Sequence, residues 1–184
     1  MSTGREGANS GPACVGVTYY VAASLDGRIA REDGSLDWLS MDQDYGFHEF
    51  FATVDAVVMG RKTFDFIVGH GTWPYGERPG RILSRGGVGS PFPEARVTSA
   101  APGEVVESLR RDGHERIWLV GGGVTARDFL ELDLLDRIAV YTMPVILGGG
   151  PPMLPGGSPE SRWDLSRQRT FGSGVVELVY DRRR

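Results

Sequence analysis

The chain is poor in the residues that build staples and metal centres. It has a single cysteine, Cys14, among 184 residues. One cysteine excludes an intramolecular disulfide and any zinc site built on paired cysteines. It also excludes a zinc-dependent deaminase module, which needs two cysteines beside a His-x-Glu. The three histidines, His48, His70 and His114, are too scattered for metal-ligand spacing. No apolar run approaches the length needed to cross a bilayer, and the opening residues do not read as a secretory signal. The expectation is a soluble, cytoplasmic protein that engages no membrane. Excess positive charge is missing too: 20 Lys and Arg stand against 24 Asp and Glu, a formal net charge of −4. That speaks against nucleic acid as a partner.

Glycine, by contrast, is abundant, with 27 residues gathered at a few points. Residues 1–14 are small, polar and glycine-rich and read as a disordered N-terminal arm; 15–184 read as a single domain of ordinary size. Along that domain, apolar β-branched runs alternate with helical patterns. Strands are predicted at 15–22, 56–59, 81–83, 95–98 and 117–120, and helices at 43–53, 103–111 and 125–132, with a short one after Gly60. An extended stretch covers 137–147 with Pro144 inside it. Residues 163–170 and 174–180 read as two final strands, antiparallel through a Phe171-Gly172-Ser173 turn, and 181–184 as solvated charge. This pattern predicts an α/β domain with a mostly parallel sheet and an antiparallel C-terminal hairpin.

Three strand ends share a chemistry. Val58-Met59 runs into Gly60-Arg61-Lys62-Thr63, Ile82-Leu83 into Ser84-Arg85, and Leu119-Val120 into Gly121-Gly122-Gly123-Val124-Thr125. In an open parallel sheet, ligands bind beyond the carboxyl ends of the strands. Two of these ends open helices, whose free N–H groups and dipoles favour phosphate. A ligand with several separated phosphates, such as a dinucleotide, fits the set. Each turn read by itself is also compatible with a plain charged surface turn.

These motifs, in this order, resemble the dihydrofolate reductase superfamily and within it the RibD C-terminal reductase domain of riboflavin biosynthesis. The residues that carry the resemblance are 22–30 (AASLDGRIA), 58–63 (VMGRKT), 83–85 (LSR), 119–123 (LVGGG), and 135–137 (LDR) with 144–150 (PVILGGG). They are spread over roughly residues 15 to 180. The resemblance implies a three-layer α/β/α dihydrofolate reductase-like fold that binds NADPH. Ala23 and Ile29 would line the nicotinamide. Gly60, Arg61, Lys62 and Thr63 would hold phosphates, and Ser84 and Arg85 would take the adenosine 2′-phosphate. Gly121, Gly122, Gly123, Val124 and Thr125 would pass under the pyrophosphate, with a cis peptide between Gly121 and Gly122. Because the family's domains often pair, a homodimer is expected.

On the substrate side, the resemblance places Asp44 where dihydrofolate reductases carry the carboxylate that binds the pterin ring, and Trp38 near a tryptophan of the same site. Asp44 suits paired hydrogen bonds to an amino-pyrimidine edge, and proton delivery if burial raises its pKa. It equally suits a helix-start acid, as does Asp42, and Trp38 equally suits a loop aromatic plugging the core. His48, one turn on from Asp44, reads as an exposed helix residue. Tyr141 stands where the folate enzymes carry a threonine beside the carboxylate. The loop 68–80 lacks a clear counterpart of the arginine that grips a folate tail, although Arg78 and Arg81 are nearby. The implied activity is hydride transfer from NADPH to a pyrimidine- or pterin-like small molecule, of the 5-amino-6-(5-phosphoribosylamino)uracil reductase type. The alternatives are dihydrofolate reduction, or NADPH binding without turnover.

Overall fold

The computed structural model describes residues 12–87 and 89–183. Positions 1–11 of the expected arm therefore lie outside the described residues. Cys14, at the arm's other end, is buried and its N–H donates to Thr53 Oγ1. Burial pushes the Cys14 thiol up to about 11, so it is packing and not a nucleophile.

The described residues form one eight-stranded sheet. Its strands are β1 (Val17–Ser24), β2 (Ala56–Gly60), β3 (Gly80–Leu83), β4 (Ala95–Thr98), β5 (Ile117–Gly121), β6 (Arg137–Met143), β7 (Trp163–Thr170) and β8 (Val176–Arg182). Their order across the sheet is β4-β3-β2-β5-β1-β6-β8-β7. The first six in that order pair in parallel, and β8 and β7 close the far side antiparallel. The helices are α1 (Phe47–Ala52), α2 (Arg61–His70), α3 (Pro102–Arg111) and α4 (Gly123–Glu131). None is long and apolar enough to cross a membrane.

Side-chain alternation explains the layering. In β2, every residue is buried, and Val57 and Met59 face one side while Ala56 and Val58 face the other. Val57 and Met59 pack with Phe50 of α1 and with Phe64 and Ile67 of α2. Ala56 and Val58 pack with Val105, Val106 and Leu109 of α3 and with Ala126 and Phe129 of α4. The result is the three-layer α/β/α arrangement of the dihydrofolate reductase-like fold.

Three local expectations need correction. The helix expected over 43–53 is confined to 47–52, because Gly46 sits in the left-handed region at φ 93° immediately before it. The extended stretch stops at Met143, since Pro144 has no N–H to continue the ladder; Val145 turns back and bonds the Met143 carbonyl. Residues 28–30 contribute a single bridge, Arg28 to Pro152. Asp181 and Arg182, expected within a solvated tail, instead end β8, with Asp181 held by Arg137 at 2.6 Å and Arg182 by Asp133 at 2.7 Å; Arg184 lies outside the described residues.

Candidate functional site

The four helix N-termini are not equivalent. At α1, Asp44 Oδ1 accepts the N–H groups of Phe47 at 2.7 Å and His48 at 3.3 Å. At α3, Glu104 folds back and accepts the Ala101 N–H at 3.0 Å. Carboxylates thus cover both of these ends. At α2 and α4 the residues before the first turn are Gly60 and Gly122, with no side chain to cap and no acid in the first turn. Their free N–H groups and positive dipole ends stay open to an anion.

These two open ends lie side by side. A methyl group placed on Gly60 would sit 2.4 Å from Thr125 Oγ1, and one on Gly122 would sit 3.8 Å from both Thr63 Oγ1 and Ile29 Cδ1. Thus Gly60, Thr63, Gly122, Thr125 and Ile29, from three separate parts of the chain, meet at one place. A register shift between Val58 and Met59 against β5 leaves Val120 unpaired just before the glycines. Such a bulge bends the strand end and re-aims the glycines beyond it. The Gly121–Gly122 peptide is cis. Val124 is exposed at the start of α4. The cations differ in availability. Arg61 turns back along its own helix to Asp65 at 2.6 Å, which leaves its backbone N–H rather than its guanidinium for a ligand. Lys62 is exposed and has no ion-pair partner among the described residues.

Ala23 is buried near the end of β1, and the turn after it carries Ile29 over the glycines. Asp26 organises this turn. Its carboxylate accepts Ser24 Oγ–H at 2.7 Å and the N–H groups of Leu147 at 3.0 Å and Gly148 at 2.9 Å. The Ser24 hydroxyl first, and then those backbone amides, lower its pKa to about 2. Ile29 N–H donates to Pro151 O and Met153 N–H to Gly27 O. The 144–153 segment is therefore a brace between the Ile29 turn and α4, where a methyl on Gly123 would collide with Pro152 O at 2.2 Å. Asp26 lies within the 22–30 motif beside Ser24, but its backbone partners Leu147 and Gly148 are about 120 residues away and local pattern could not name them.

Beyond β3, a cleft of about 700 Å³ is lined by Ser84, Arg85, Arg96, Thr98 and Ser99 among others, with no carboxylate among the described residues of its walls. Arg85 is exposed without an ion-pair partner among the described residues. Ser84 donates its hydroxyl to Gly86 O at 3.0 Å and so shapes its own loop.

On the α1 side, Trp38 is half-buried against the core, and its indole N–H is buried without a partner. Asp44 uses its second oxygen for His48 Nδ1 at 2.9 Å. Partial burial opposes its ionisation, but the His48 side chain and the two backbone amides outweigh it and hold the carboxyl below its ordinary value. That direction is opposite to what a proton donor needs, and it favours a carboxylate that accepts hydrogen bonds.

Tyr141 does not partner Asp44. Its hydroxyl donates to Glu177 Oε1 at 2.7 Å, and Arg167 Nε donates to Glu177 Oε2 at 3.0 Å, with Glu177 fully buried. Burial, with Tyr20 and Glu177 beside it, pushes the Tyr141 phenol far above its ordinary value. The two arginines near enough to grip a folate tail are engaged elsewhere. Arg78 donates to the carbonyls of Val54 at 2.7 Å and Phe51 at 2.9 Å and stacks on the Phe51 ring, closing the end of α1. Arg81 faces Asp112 at 3.6 Å. No cluster of metal-ligating side chains occurs among the described residues.

The RibD C-terminal domain family matches residues 16–80 and 90–177, which includes the glycine strand ends and the brace. The chain belongs to the RibD C-terminal domain family. It is 33% identical over 171 residues to the uncharacterized protein YwjB of Bacillus subtilis, covering 89% of this chain and 95% of that one. It is 30% identical over 151 residues to the riboflavin biosynthesis protein RibD of Mycobacterium tuberculosis, covering 72% of this chain but only 43% of that longer protein. Among solved structures, a putative riboflavin biosynthesis protein from Shewanella sp. PV-4 superposes with a TM-score of 0.82 at 27% identity, covering 92% of this chain and all (100%) of that one. The fold also matches a Thermotoga maritima deaminase/5-amino-6-(5-phosphoribosylamino)uracil reductase, TM-score 0.73 at 20% identity, covering 92% of this chain and 57% of that one.

Proposed function

We propose that the protein is an NADPH-dependent reductase acting on a small pyrimidine-like molecule. The observation that carries the proposal is the pairing of two uncapped, acid-free helix N-termini, those of α2 and α4, at the carboxyl ends of neighbouring parallel strands. Open N–H groups beside glycines admit a pyrophosphate backbone at close range. The cleft with Ser84 and Arg85 lies at the next strand end, where an adenosine 2′-phosphate would sit. NADPH, when bound, supplies the hydride. The chain's own residues do the rest: Ala23 and Ile29 form an apolar wall, and Gly60, Thr63, Gly121, Gly122, Gly123 and Thr125 allow close approach. The N–H groups of Arg61, Lys62 and Val124 would face phosphate.

For the second molecule, Trp38 offers an unpartnered N–H donor and Asp44 an ionised acceptor. Donor and acceptor together suit the carbonyl and amino edges of an aminopyrimidine. The name of the Thermotoga relative supports the same class, a phosphoribosylamino-uracil. Dihydrofolate fits less well, because Arg78 and Arg81 are engaged and Tyr141 is committed to Glu177. We extend the proposal to a cytoplasmic homodimer, which light scattering on the purified protein checks.

The direct test is titration of the protein into NADPH, followed by nicotinamide fluorescence, with NADH in parallel. Saturable binding with NADPH preferred is the expected result; no saturation sinks the cofactor reading. Replacing Arg85 by Ala should weaken NADPH and spare NADH. Turnover is then assayed with 5-amino-6-(5-phosphoribosylamino)uracil and with dihydrofolate, and oxidation of NADPH by the first alone is expected.

A further inference from the structure

Reduction of a C=N or C=O bond by hydride also consumes a proton, and Asp44 is poorly suited to give one. Its carboxyl is held below its ordinary value and is ionised at neutral pH. Three hydrogen bonds already occupy it: the amides of Phe47 and His48 on Oδ1, and the His48 imidazole on Oδ2 at 2.9 Å. A carboxylate is an acceptor only, so His48 Nδ1 carries a hydrogen and Nε2 is the ring nitrogen left for another partner. The His48 side chain is 82% exposed, which opens the ring to a molecule approaching this end of α1. The Phe47 ring stands edge-on to the imidazole at 6.1 Å and packs inward on Tyr20 of β1, also at 6.1 Å. The charged residues beside His48 are Asp44, from the turn before α1, and Glu49, the next residue of the helix.

A group hydrogen-bonded to Asp44 Oδ2 stands about 3 Å from an atom that His48 Nδ1 also touches. The two therefore lie within about 6 Å of each other. Whatever Asp44 binds thus has the imidazole as its neighbour. We propose that His48 is the catalytic acid of the reduction and that Asp44 is its positioning residue. As the carbon of the C=N or C=O bond takes up hydride, the π electron pair moves onto the heteroatom. The His48 Nε2–H bond breaks, and an N–H or O–H bond forms on that heteroatom. Neutral imidazole is left, and water restores its proton because the ring is open to solvent. The ionised carboxylate on the other nitrogen fixes the orientation of the ring and stabilises the imidazolium from which the step begins. The inference rests on the proposed reductase and supplies the proton source that the glycine strand ends and Asp44 leave unassigned.

The experiment compares wild type, His48→Gln and His48→Ala in single-turnover oxidation of NADPH by 5-amino-6-(5-phosphoribosylamino)uracil, from roughly pH 5 to 9. His48→Gln should slow the reaction by about a hundredfold to ten-thousandfold, the usual worth of one general acid. The Kd for NADPH, read by fluorescence, should stay within about twofold. The wild-type rate should fall about tenfold per pH unit on the alkaline side, as the acid loses its proton. His48→Gln should lack that alkaline limb, which a merely structural role would not remove. Added imidazole should restore part of the rate to His48→Ala. A readout free of turnover uses 5-aminouracil as the probe: the His48 Cε1–H resonance should shift as the probe saturates. An unchanged rate in His48→Gln, or an alkaline limb that persists in it, overturns the inference and leaves the reductase reading standing. A His48 resonance unmoved by 5-aminouracil overturns it as well. If the wild type oxidises no NADPH with this substrate, the reductase reading falls and the acid role falls with it. His48 is exposed, so circular dichroism of both variants should match the wild type and exclude misfolding as the cause of a lost rate.

Discussion

Asp44 holds His48 Nδ1 at 2.9 Å with one carboxylate oxygen and the first amides of α1 with the other. The same side chain thus starts the helix and orients an exposed imidazole on its solvent face. Asp44→Ala should lower stability by about 1 kcal/mol through loss of the cap. Asp44→Asn should cost less, because an amide oxygen still accepts from Phe47. The lowered folded pKa sets the sign of the pH dependence. The contribution is present in full above the ordinary value of 3.8 and is lost as the pH falls through the lower folded value. Urea midpoints at pH 7 and pH 3 check this. The gap between wild type and Asp44→Ala should narrow at the lower pH, and a constant gap would exclude an ionised cap.

Asp26 is expected to titrate late. The amide resonances of Leu147 and Gly148, which donate to its carboxylate, should shift with a midpoint near about 2 rather than 3.8. A folded pKa below the unfolded one means that the brace is secured above pH 3.8 and released as the pH falls toward about 2. Two-dimensional NMR of labelled protein reads the midpoint directly. A midpoint at the ordinary value would show that these bonds do not favour the ionised form. Asp26→Asn should also weaken NADPH binding, because the turn that carries Ile29 loses its anchor.

Glu177 is a buried carboxylate between Arg167 and Tyr141. Removing one partner of a buried pair costs about 3–5 kcal/mol, because the remaining charge has no compensation. Arg167 is partly exposed, so Arg167→Ala should fall toward the lower end of that range. Glu177→Gln should cost less than Arg167→Ala, since it removes the buried charge and keeps an oxygen for the Tyr141 hydroxyl. Denaturant midpoints of the two variants give the ranking, and the reverse order would mean that the charge itself stabilises the hairpin.

Gly123 separates packing from ligand effects. Its missing Cβ would overlap the Pro152 carbonyl oxygen, a backbone atom that cannot rotate away. Gly123→Ala should destabilise the protein by about 1–3 kcal/mol, the usual range for overpacking. At Gly60 the corresponding clash is with Thr125 Oγ1, the end of a side chain, which can turn aside. Gly60→Ala should therefore cost less stability than Gly123→Ala while still weakening NADPH binding. Thermal melts beside NADPH titrations check both halves.

Much of the architecture was legible because it rests on local periodicity. The unbroken apolar runs of Ala56 to Met59 and Ile117 to Val120 mark strands covered on both faces, and glycine ends both of them. The aromatic spacing of Tyr45, Phe47, Phe50 and Phe51 suits a longer helix than the six-residue α1. A single left-handed Gly46 interrupts it, and Tyr45 instead reaches Asp42 and Ser173. The candidate site divides in the same way. The glycine strand ends could be picked out as a group, but not that Gly60 and Thr125 touch, nor that Arg61 spends its guanidinium on Asp65. Glu177 and the Asp26 brace carried no local signal, since each depends on partners from other strands or loops.

The sequence by itself determined the alternation of strands and helices, the family, and the places where backbone must come close without a side chain. Those properties are written in short-range pattern and in the absence of Cβ atoms. Only the tertiary structure decided which charges are available. It paired Arg78, Arg81 and Arg61 with structural partners, left Lys62 and Arg85 without one among the described residues, and kept Asp44 ionised. The reason is physical: whether a charged group serves a ligand depends on what stands within a few ångströms of it, and that is set by strand register and packing rather than by neighbours in the chain.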